Sequence, residues 1–335
     1  MSASDTAVAA DDWKPRCLTP ELLGLLVVLA GCAAAKPLMA VNVPVTDLRT
    51  QPGTTASPSI HDPLEETQLL YGERVRVLKT KDGWAQVEAI EQPEFSHTKR
   101  WQGYPGWVPT STLILPDSFW TPTVVVTDKW ATTWHDAFSR IPSPWRFALG
   151  TRLRAVDMGG QLWKVELLDG TTVWMPRLSA RPLEELQALS PAEKRAAIVR
   201  AAALLIGDAY YWGGRSPASP TKSEGVTGID CSGLVNLAYR SVAVDIPRDA
   251  HEQFLRAKSV NTLQPADLIF LSERGNPQRI VHVMLYAGNG ELIEGPGTGQ
   301  MVRRISVRQR LGHPLELIAS GTVVEGQTVY LGTYF

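Results

Sequence analysis

Apolar and polar residues alternate in two stretches of the chain, and the second stretch repeats the outline of the first. The first stretch has three alternating runs, residues 70–78, 82–87 and 103–109. The second has three matching runs, residues 148–156, 161–165 and 169–176. In each stretch a tryptophan stands in the middle run and another in the last run, and glycine and aspartate interrupt the alternation. This pattern is typical of β-strands joined by tight turns.

The repeat predicts two small β-barrels. We place the first over residues 40–117 and the second over residues 118–182. A single meandering β-sandwich over the same part of the chain is the alternative.

The pattern changes to a helical one near residue 190. Ser190 and Glu193 have the spacing of a capping box, and Pro191 stands at the first helical position. Gly207 marks the predicted end of this helix. Its broad apolar face consists of Ala196, Ala197, Ile198, Ala201, Ala202, Leu204 and Leu205.

Short apolar strands follow the helix. They are predicted at residues 267–271, 281–287 and 291–294, and the Asn289-Gly290 pair between the last two is a hairpin signal. Helical segments followed by strands predict an α+β domain over residues 185–335.

An apolar run near the N-terminus predicts export. Residues 22–29 are apolar, follow Lys14 and Arg16, and are too few to span a bilayer. The run therefore has the length of the apolar part of a signal peptide. An N-terminal anchor or a chance apolar run is the alternative.

The end of this run resembles the bacterial lipobox, since residues 29–32 are Leu-Ala-Gly-Cys. In lipobox proteins the signal peptide is cleaved before the cysteine, which then carries lipid. The resemblance implies a signal peptide over residues 1–31, a linker over residues 32–39 and lipidation of Cys32. The protein would then be held in the cell envelope, at a membrane, by its lipid anchor.

Composition and charge narrow the functional classes. A chain of 335 residues with 44% hydrophobic residues predicts two or three globular domains. The formal net charge of −1 argues against a partner held mainly by charge, such as nucleic acid. Cys17, Cys32 and Cys231 have neither the pattern of a disulfide framework nor metal-ligand spacing, so we expect no metal and no other cofactor.

Cys231 and His282 are the strongest candidates for chemistry. Glycines flank Cys231 at positions 228 and 233, and an apolar run follows, which predicts a tight turn that opens into a helix. A thiol becomes a strong nucleophile as its thiolate, which a helix N-terminus or a nearby imidazole stabilises. The sequence therefore predicts a nucleophilic cysteine with a histidine base. A buried structural cysteine beside an unrelated histidine is the alternative.

Several further blocks resemble the NlpC/P60 cysteine peptidases, in the order of that family. The blocks are Tyr-x-Trp-Gly-Gly at 210–214, Asp-Cys-Ser-Gly-Leu at 230–234, Ile-Pro-Arg-Asp-Ala-x-x-Gln at 246–253, Pro-Ala-Asp-Leu-Ile-Phe at 265–270, and His282-Val283. The two predicted barrels resemble bacterial SH3 domains. The resemblance implies two SH3-like modules followed by an α+β, papain-like NlpC/P60 domain. This arrangement is similar to that of γ-D-glutamyl-L-diamino acid endopeptidases, which cut peptidoglycan stem peptides with a free N-terminal L-Ala.

The resemblance also implies catalytic roles. Cys231 would attack the scissile carbonyl and His282 would transfer the proton. The third position of the family, usually a histidine, falls on Glu294, which would hold the imidazole, although Glu294 could instead be a surface carboxylate. The Tyr210 hydroxyl would assist the Cys231 N–H in binding the oxyanion, unless Tyr210 only packs in the core. We interpret the two other nearby histidines, His251 and His313, as solvated surface residues.

Substrate contacts are implied at positions in both the first barrel and the peptidase domain. Glu66, which we favour over Glu65, and Tyr104 would bind the free amine. Asp249 could share that role, and Arg248 would pair with a substrate carboxylate or brace its loop. The remaining predicted contacts are Trp212, Asp230 and Ser232, and Asp230 has a helix cap as its alternative role.

The leading hypothesis is a lipid-anchored cell-wall cysteine endopeptidase. It would act on peptidoglycan stem peptides or muropeptides and cut the bond between γ-D-Glu and the diamino acid. One alternative is a catalytically silent wall-binding protein. This alternative is favoured by Glu294, because the family usually has a histidine at that position. An acyl- or amide-transferring enzyme on the same Cys-His scaffold is the other.

Overall fold

β-Strands account for most of the described residues up to residue 182 in the computed structural model, which describes residues 37–54, 61–139, 141–218 and 228–335. The strands group into two antiparallel sheets of seven strands each. The first sheet consists of β1 (Leu38–Val41), β2 (Val45–Arg49), β3 (Glu65–Leu70), β4 (Arg74–Lys81), β5 (Trp84–Glu94), β6 (Gln102–Pro109) and β7 (Leu113–Ile114).

The second sheet consists of β8 (Val124–Val126), β9 (Trp130–Trp134), β10 (Pro142–Ala148), β11 (Arg152–Gly159), β12 (Leu162–Glu166), β13 (Thr172–Pro176) and β14 (Ala180–Pro182). The strand orders are β3-β2-β6-β5-β4-β1-β7 and β10-β9-β13-β12-β11-β8-β14. Counted from its own first strand, each sheet therefore has the same topology. The final strand of each follows a 3₁₀ turn and pairs with the first, so the repeat in the sequence corresponds to a repeat in strand order.

The C-terminal region combines helices with a third antiparallel sheet. Its helices are α1 (Leu183–Ala188), α2 (Pro191–Ala203), α3 (Cys231–Arg240), α4 (Ala250–Arg256) and α5 (Val307–Leu311). Its strands are β15 (Lys258–Ser259), β16 (Leu268–Glu273), β17 (Asn276–Gly288), β18 (Glu291–Glu294), β19 (Arg303–Ser306), β20 (Val323–Val324) and β21 (Gln327–Thr333). The sheet order is β15-β21-β16-β17-β18-β19, and β20 pairs with β21.

Local sequence signals explain several boundaries of these elements. The capping box at the start of α2 is present, because the Ser190 and Glu193 side chains each bond to the backbone N–H of the other residue. Helix α2 ends at Ala203, four residues before the predicted end, and the chain continues as turns to Gly207. Asn289 and Gly290 both have positive φ and form the turn between β17 and β18, as the hairpin signal predicts.

Helix α3 lies at the centre of the C-terminal region. All ten of its residues are buried, and it packs between α2 and β17. A helix covered on every side is held in one position by its neighbours. The first residue of α3, Cys231, is therefore placed rigidly with respect to β17.

The first sheet is bound to the C-terminal region by buried charges. Glu73, in the turn before β4, lies 2.8 Å from Arg215 and 3.5 Å from Arg240, and all three side chains are almost completely buried. Burial alone would raise the pKa of Glu73, but the two arginines hold it below its ordinary value. Breaking such a pair would leave an uncompensated buried charge, so the pair fixes the sheet against the C-terminal region.

Within the described ranges, none of the helices combines the length and the apolar character that a membrane crossing requires.

Candidate active site

Cys231 is a free thiol at the N-terminus of α3. Asp230 caps the helix, since its Oδ1 accepts a hydrogen bond from the Gly233 N–H at 2.6 Å. The preceding loop packs so closely that a Cβ at Gly233 would lie 2.3 Å from the Gly214 carbonyl oxygen. Glycine is thus required there. The close packing places the sulfur at the positive end of the helix dipole, which stabilises negative charge.

His282, on β17, joins the thiol to a buried carboxylate. Its ring hydrogen-bonds to Cys231 on one side, and its Nε2 lies 2.9 Å from Glu294 Oε2 on the other. Burial alone would lower the pKa of His282, but its interactions with Cys231 and Glu294 raise it to about 9. The raised pKa favours the imidazolium form of His282, which lies beside the Cys231 sulfur.

Glu294 is completely buried, so the alternative of a surface carboxylate does not apply to it. Besides His282, it accepts hydrogen bonds from Arg303 and Arg310. Burial would raise the pKa of Glu294, yet the histidine and the arginines lower it to about 2. The sequence did not identify the two arginines. Arg303 comes to lie opposite Glu294 only when β19 pairs with β18, so no local pattern indicated it.

A cavity of about 750 Å³ opens in front of the Cys231 thiol. Its lining combines residues of the first sheet with residues of the C-terminal region. Of the residues predicted from the sequence, it contains Glu66, Tyr104, Tyr210, Trp212, Asp230, Cys231, Ser232 and Asp249. This one cavity therefore brings together side chains that are up to 183 positions apart in the sequence.

One part of this cavity contains two carboxylates that flank a tyrosine. The Tyr104 hydroxyl lies 2.9 Å from Asp249 Oδ2 and 3.3 Å from Glu66 Oε2, and it can donate its one proton to either. Burial raises the pKa of both acids, that of Asp249 to about 7, although Arg248 opposes this shift. The pair therefore suits a positively charged ligand, which would stabilise both ionised carboxylates.

The neighbouring acid, Glu65, belongs to the core. It is 1% exposed, and burial together with Asp47 and Asp62 raises its pKa to about 10. Adjacent strand residues point to opposite faces, so only Glu66 of the two faces the cavity.

Tyr210 is half-buried and lines the cavity close to Cys231. Burial and then its interactions with Cys231 and Asp230 raise the pKa of Tyr210, so its hydroxyl remains protonated and can donate a hydrogen bond. The next residue, Tyr211, is the one buried in the core.

Arg248 has a bracing position rather than one open to a substrate. Its side chain is fully buried and donates to Asp230 at 2.8 Å, to Ser232 at 2.9 Å and to Thr67 of the first sheet at 2.6 Å. A substrate carboxylate could reach this guanidinium only by displacing these partners. Of the two roles predicted for Arg248, these contacts favour bracing of its loop. Arg248 Nη1 also donates to Asp230 Oδ1, and this bond helps to hold Asp230 in its helix-capping position.

Three basic residues of the cavity were not identified from the sequence. His251, interpreted above as a solvated residue, lines the cavity, and its Nδ1 accepts a hydrogen bond from the Ile280 N–H at 3.3 Å. Lys99 and Arg279 are the others, and both are exposed cations. They come from different segments of the chain, which explains why no local pattern indicated them. His313 is exposed, as expected.

Two predicted positions remain. Trp212 is 43% exposed and meets the His61 ring edge-on at a centroid distance of 5.3 Å, so it presents an aromatic surface at the cavity. Cys32 and the predicted signal peptide lie outside the described residues.

Comparison with known proteins agrees with these features. Residues 207–314 match the NlpC/P60 family, and residues 56–91 match the bacterial dipeptidyl-peptidase SH3 domain. A γ-D-glutamyl-L-lysine dipeptidyl-peptidase of Bacillus cereus is 28% identical over 246 residues, which cover 72% of this chain and 70% of the relative. The enzyme of the same name from Bacillus subtilis is 27% identical over 252 residues, which cover 75% of this chain and 78% of the relative.

A solved structure supports the fold. The crystal structure of an NlpC/P60 family protein from Bacillus cereus matches with a TM-score of 0.69 at 23% identity, covering 89% of this chain and 99% of that one. The family matches and the similarity to these relatives lead to one conclusion: this chain carries a bacterial SH3 domain followed by an NlpC/P60 domain.

Proposed function

We propose that this protein is a cysteine endopeptidase that cuts the bond between γ-D-Glu and the diamino acid in peptidoglycan stem peptides with a free N-terminal L-Ala. One observation carries the proposal. The cavity that contains Cys231 also contains the pair of carboxylates around Tyr104. A peptide whose amine is bound by Glu66 and Asp249 would extend toward the nucleophile. The curated relatives, named for γ-D-glutamyl-L-lysine dipeptidyl-peptidase activity, support the same bond.

The catalytic steps follow from the contacts of Cys231 and His282. The Cys231 thiolate attacks the γ-carbonyl of D-Glu, and the developing oxyanion is stabilised by the Cys231 N–H and the Tyr210 hydroxyl. The His282 imidazolium then gives its proton to the leaving amine of the diamino acid. In the second half of the reaction His282 takes a proton from water, which attacks the thioester and releases the dipeptide. Glu294 holds the ring in the required orientation throughout.

Charge determines how the remaining groups of the substrate would be recognised. Glu66 and Asp249 bind the ammonium group of L-Ala, and Tyr104 holds the two carboxylates in place. Because Arg248 is occupied by buried partners, Lys99 and Arg279 are the cavity cations that face a substrate carboxylate. Trp212 contributes an apolar wall.

The alternative of a catalytically silent wall-binding protein loses its main argument. That argument was the replacement of the usual third residue by Glu294. The carboxylate is buried against His282 at 2.9 Å, a contact that supports an imidazolium as well as an amide or an imidazole would. A transferase would be favoured by a cavity without charged anchors, whereas this one contains Glu66 and Asp249.

The rest of the architecture and the location belong to the same proposal. We assign SH3-like barrels to residues 40–117 and 118–182, on the basis of their common strand order. We assign a papain-like domain to residues 185–335, because a helix with the nucleophile packs on the strand with the histidine. Lipidation of Cys32 would hold the enzyme in the cell envelope, where its substrate is.

A cleavage assay tests the proposal. The protein is incubated with L-Ala-γ-D-Glu-L-Lys and with the corresponding meso-diaminopimelate peptide, and the products are identified by mass spectrometry. We expect release of the L-Ala-D-Glu dipeptide by the wild type, by His313→Ala and not by His282→Ala or Cys231→Ala. His313→Ala is the matched control, since it removes an exposed histidine. Undiminished cleavage by Cys231→Ala, or none by the wild type with either peptide, would refute the proposal.

A further inference from the structure

Two arginines surround the carboxylate that holds His282. Arg303 donates from Nε at 3.0 Å and from Nη2 at 2.7 Å to Glu294 Oε1. Arg310 donates from Nε to both oxygens, at 3.1 Å to Oε1 and 3.0 Å to Oε2. We propose that Arg303 and Arg310 are positioning residues that orient Glu294 toward His282 and set the acid strength of the imidazolium. This inference rests on the proposed function, because it assigns His282 the role of the acid.

Hydrogen-bonding capacity is the first argument for this role. A carboxylate has about four lone-pair directions. In Glu294 the arginines occupy both directions of Oε1 and share Oε2, so the remaining direction of Oε2 is the one taken by His282 at 2.9 Å. A carboxylate held in this way cannot turn away from the imidazole, and the orientation of the histidine ring is thereby fixed.

Two local structural elements present the two guanidinium groups. Arg303 stands directly opposite Glu294 in the pairing of β18 with β19. Arg310 belongs to α5, a short helix that starts with a capping box at Ser306 and Gln309 and ends at Gly312, whose φ is 72°. A helix with both ends defined holds Arg310 over the neighbouring strand. The two side chains thus approach one carboxylate from two separate elements.

Charge balance is the second argument. Glu294 is completely buried, and a buried anion facing His282 alone would stabilise the imidazolium strongly and make it a weak acid. Among the described residues, the charged or titratable partners of this pair are Cys231 from α3, Arg303 from β19 and Arg310 from α5. The arginines spread the carboxylate charge over three partners. The arginines therefore make the proton affinity of His282 lower than it would be beside a Glu294 that had no arginine partners.

The test compares each arginine with a neighbour on the same element. Arg303→Gln and Arg310→Gln are the test variants, and Arg304→Gln on β19 and Arg308→Gln on α5 are the matched controls, since both residues are exposed. Alkylation of Cys231 by iodoacetamide is followed against pH, with mass spectrometry of the peptide that contains it. The upper inflection of the rate marks loss of the imidazolium proton and requires no substrate.

We expect each test variant to move this upper inflection upward by roughly half a pH unit, because a cation near the imidazolium is removed. The controls should leave it in place. The conservative variants Arg303→Lys and Arg310→Lys keep the charge, so they should restore the inflection. On the proposed peptide substrate, all four test and conservative variants should lower kcat by about 10-fold with little change in KM, since lysine lacks the fork that orients Glu294.

The inference is overturned if the glutamine variants keep the wild-type inflection and the wild-type kcat. Should a glutamine variant fail to fold, the lysine variant decides, because a wild-type kcat with lysine contradicts the orienting role. Failure of the proposed function is distinguishable: the inflection of Cys231 alkylation would still move in the variants, although no stem peptide is cut.

Discussion

Two groups of carboxylates lie at the cavity or directly behind it, and their surroundings shift the pKa values of these acids in opposite directions. Glu294, behind His282, is fully buried among cationic partners, which lower its pKa to about 2. Asp249 and Glu66, around Tyr104, are half-buried with less compensation by cations, and partial burial raises the pKa of both, that of Asp249 to about 7. The first site is complete without a ligand, whereas the second gains most when a cation binds. The comparison teaches that partners, rather than residue type, set the pKa of an acid, and under the proposed function they suit Glu294 to catalysis and the other two acids to recognition.

The catalytic site should give the largest effect on turnover. In Glu294→Gln the negative charge that supports the imidazolium is lost, so we expect kcat to fall by about 100- to 1,000-fold with KM nearly unchanged. The alkaline limb of the kcat profile should move below its wild-type position near pH 9, because the pKa of His282 falls. Steady-state kinetics across pH measure both effects. Glu291→Gln, which changes a partly exposed acid on the same strand, is the control. Equal kinetics in the two variants would show that Glu294 does not act on His282.

Substitutions in the recognition site, formed by Glu66 and Asp249 around Tyr104, should change KM rather than kcat. Glu66→Gln removes one of the two carboxylates that receive the ammonium group, and we expect kcat/KM for the free-amine peptide to fall by about 10- to 100-fold. Kinetics with the free and the N-acetylated peptide measure this loss. Glu88→Gln, on β5 of the same sheet, removes a carboxylate that pairs with Arg76 and serves as the control. A fall in kcat alone would contradict a recognition role.

A change of pH should distinguish the two sites without any substitution, because Asp249 and Glu294 ionise in different pH ranges. Below about pH 7 Asp249 takes up a proton, and a neutral carboxyl group no longer attracts an ammonium group. We therefore expect KM for the free-amine peptide to rise as pH falls through this region. Glu294, with its pKa of about 2, stays ionised over the same range. The pH dependence of KM measures the effect, and Asp249→Asn should abolish it. A constant KM from pH 8 to pH 5 would contradict the assignment.

Tyr104→Phe should have the smallest effect. The variant keeps both carboxylates but removes the hydroxyl that bridges them, so we expect KM to rise by about 3- to 10-fold. Tyr330, which is not among the described residues lining the cavity and whose hydroxyl bonds to the Pro277 carbonyl, provides the control as Tyr330→Phe. If the two phenylalanine variants had the same KM as the wild type, the bridge would have no part in binding.

The comparison also explains what the sequence could and could not predict. Cys231 and the start of α3 were predictable, because glycine, capping and apolar signals are local. The repeat of strand order had a local signal too, in the alternation around Trp84 and Trp163. The contacts of Arg303 and Arg310 with Glu294 were not predictable, because Arg310 reaches Glu294 only after β19 pairs with β18 and α5 folds over the sheet. The buried position of Arg248 likewise depends on Thr67, which arrives with the first sheet.

Selectivity for a free amine tests the central claim most directly, namely that one cavity joins a cation site to a nucleophile. The measurement is the ratio of kcat/KM for L-Ala-γ-D-Glu-L-Lys to that for its N-acetylated form, in the wild type and in Glu66→Gln. We predict a wild-type ratio of about 100 or more and a much smaller ratio in the variant, because acetylation removes the charge that Glu66 and Asp249 bind. Equal cleavage of the two peptides by the wild type would contradict the account.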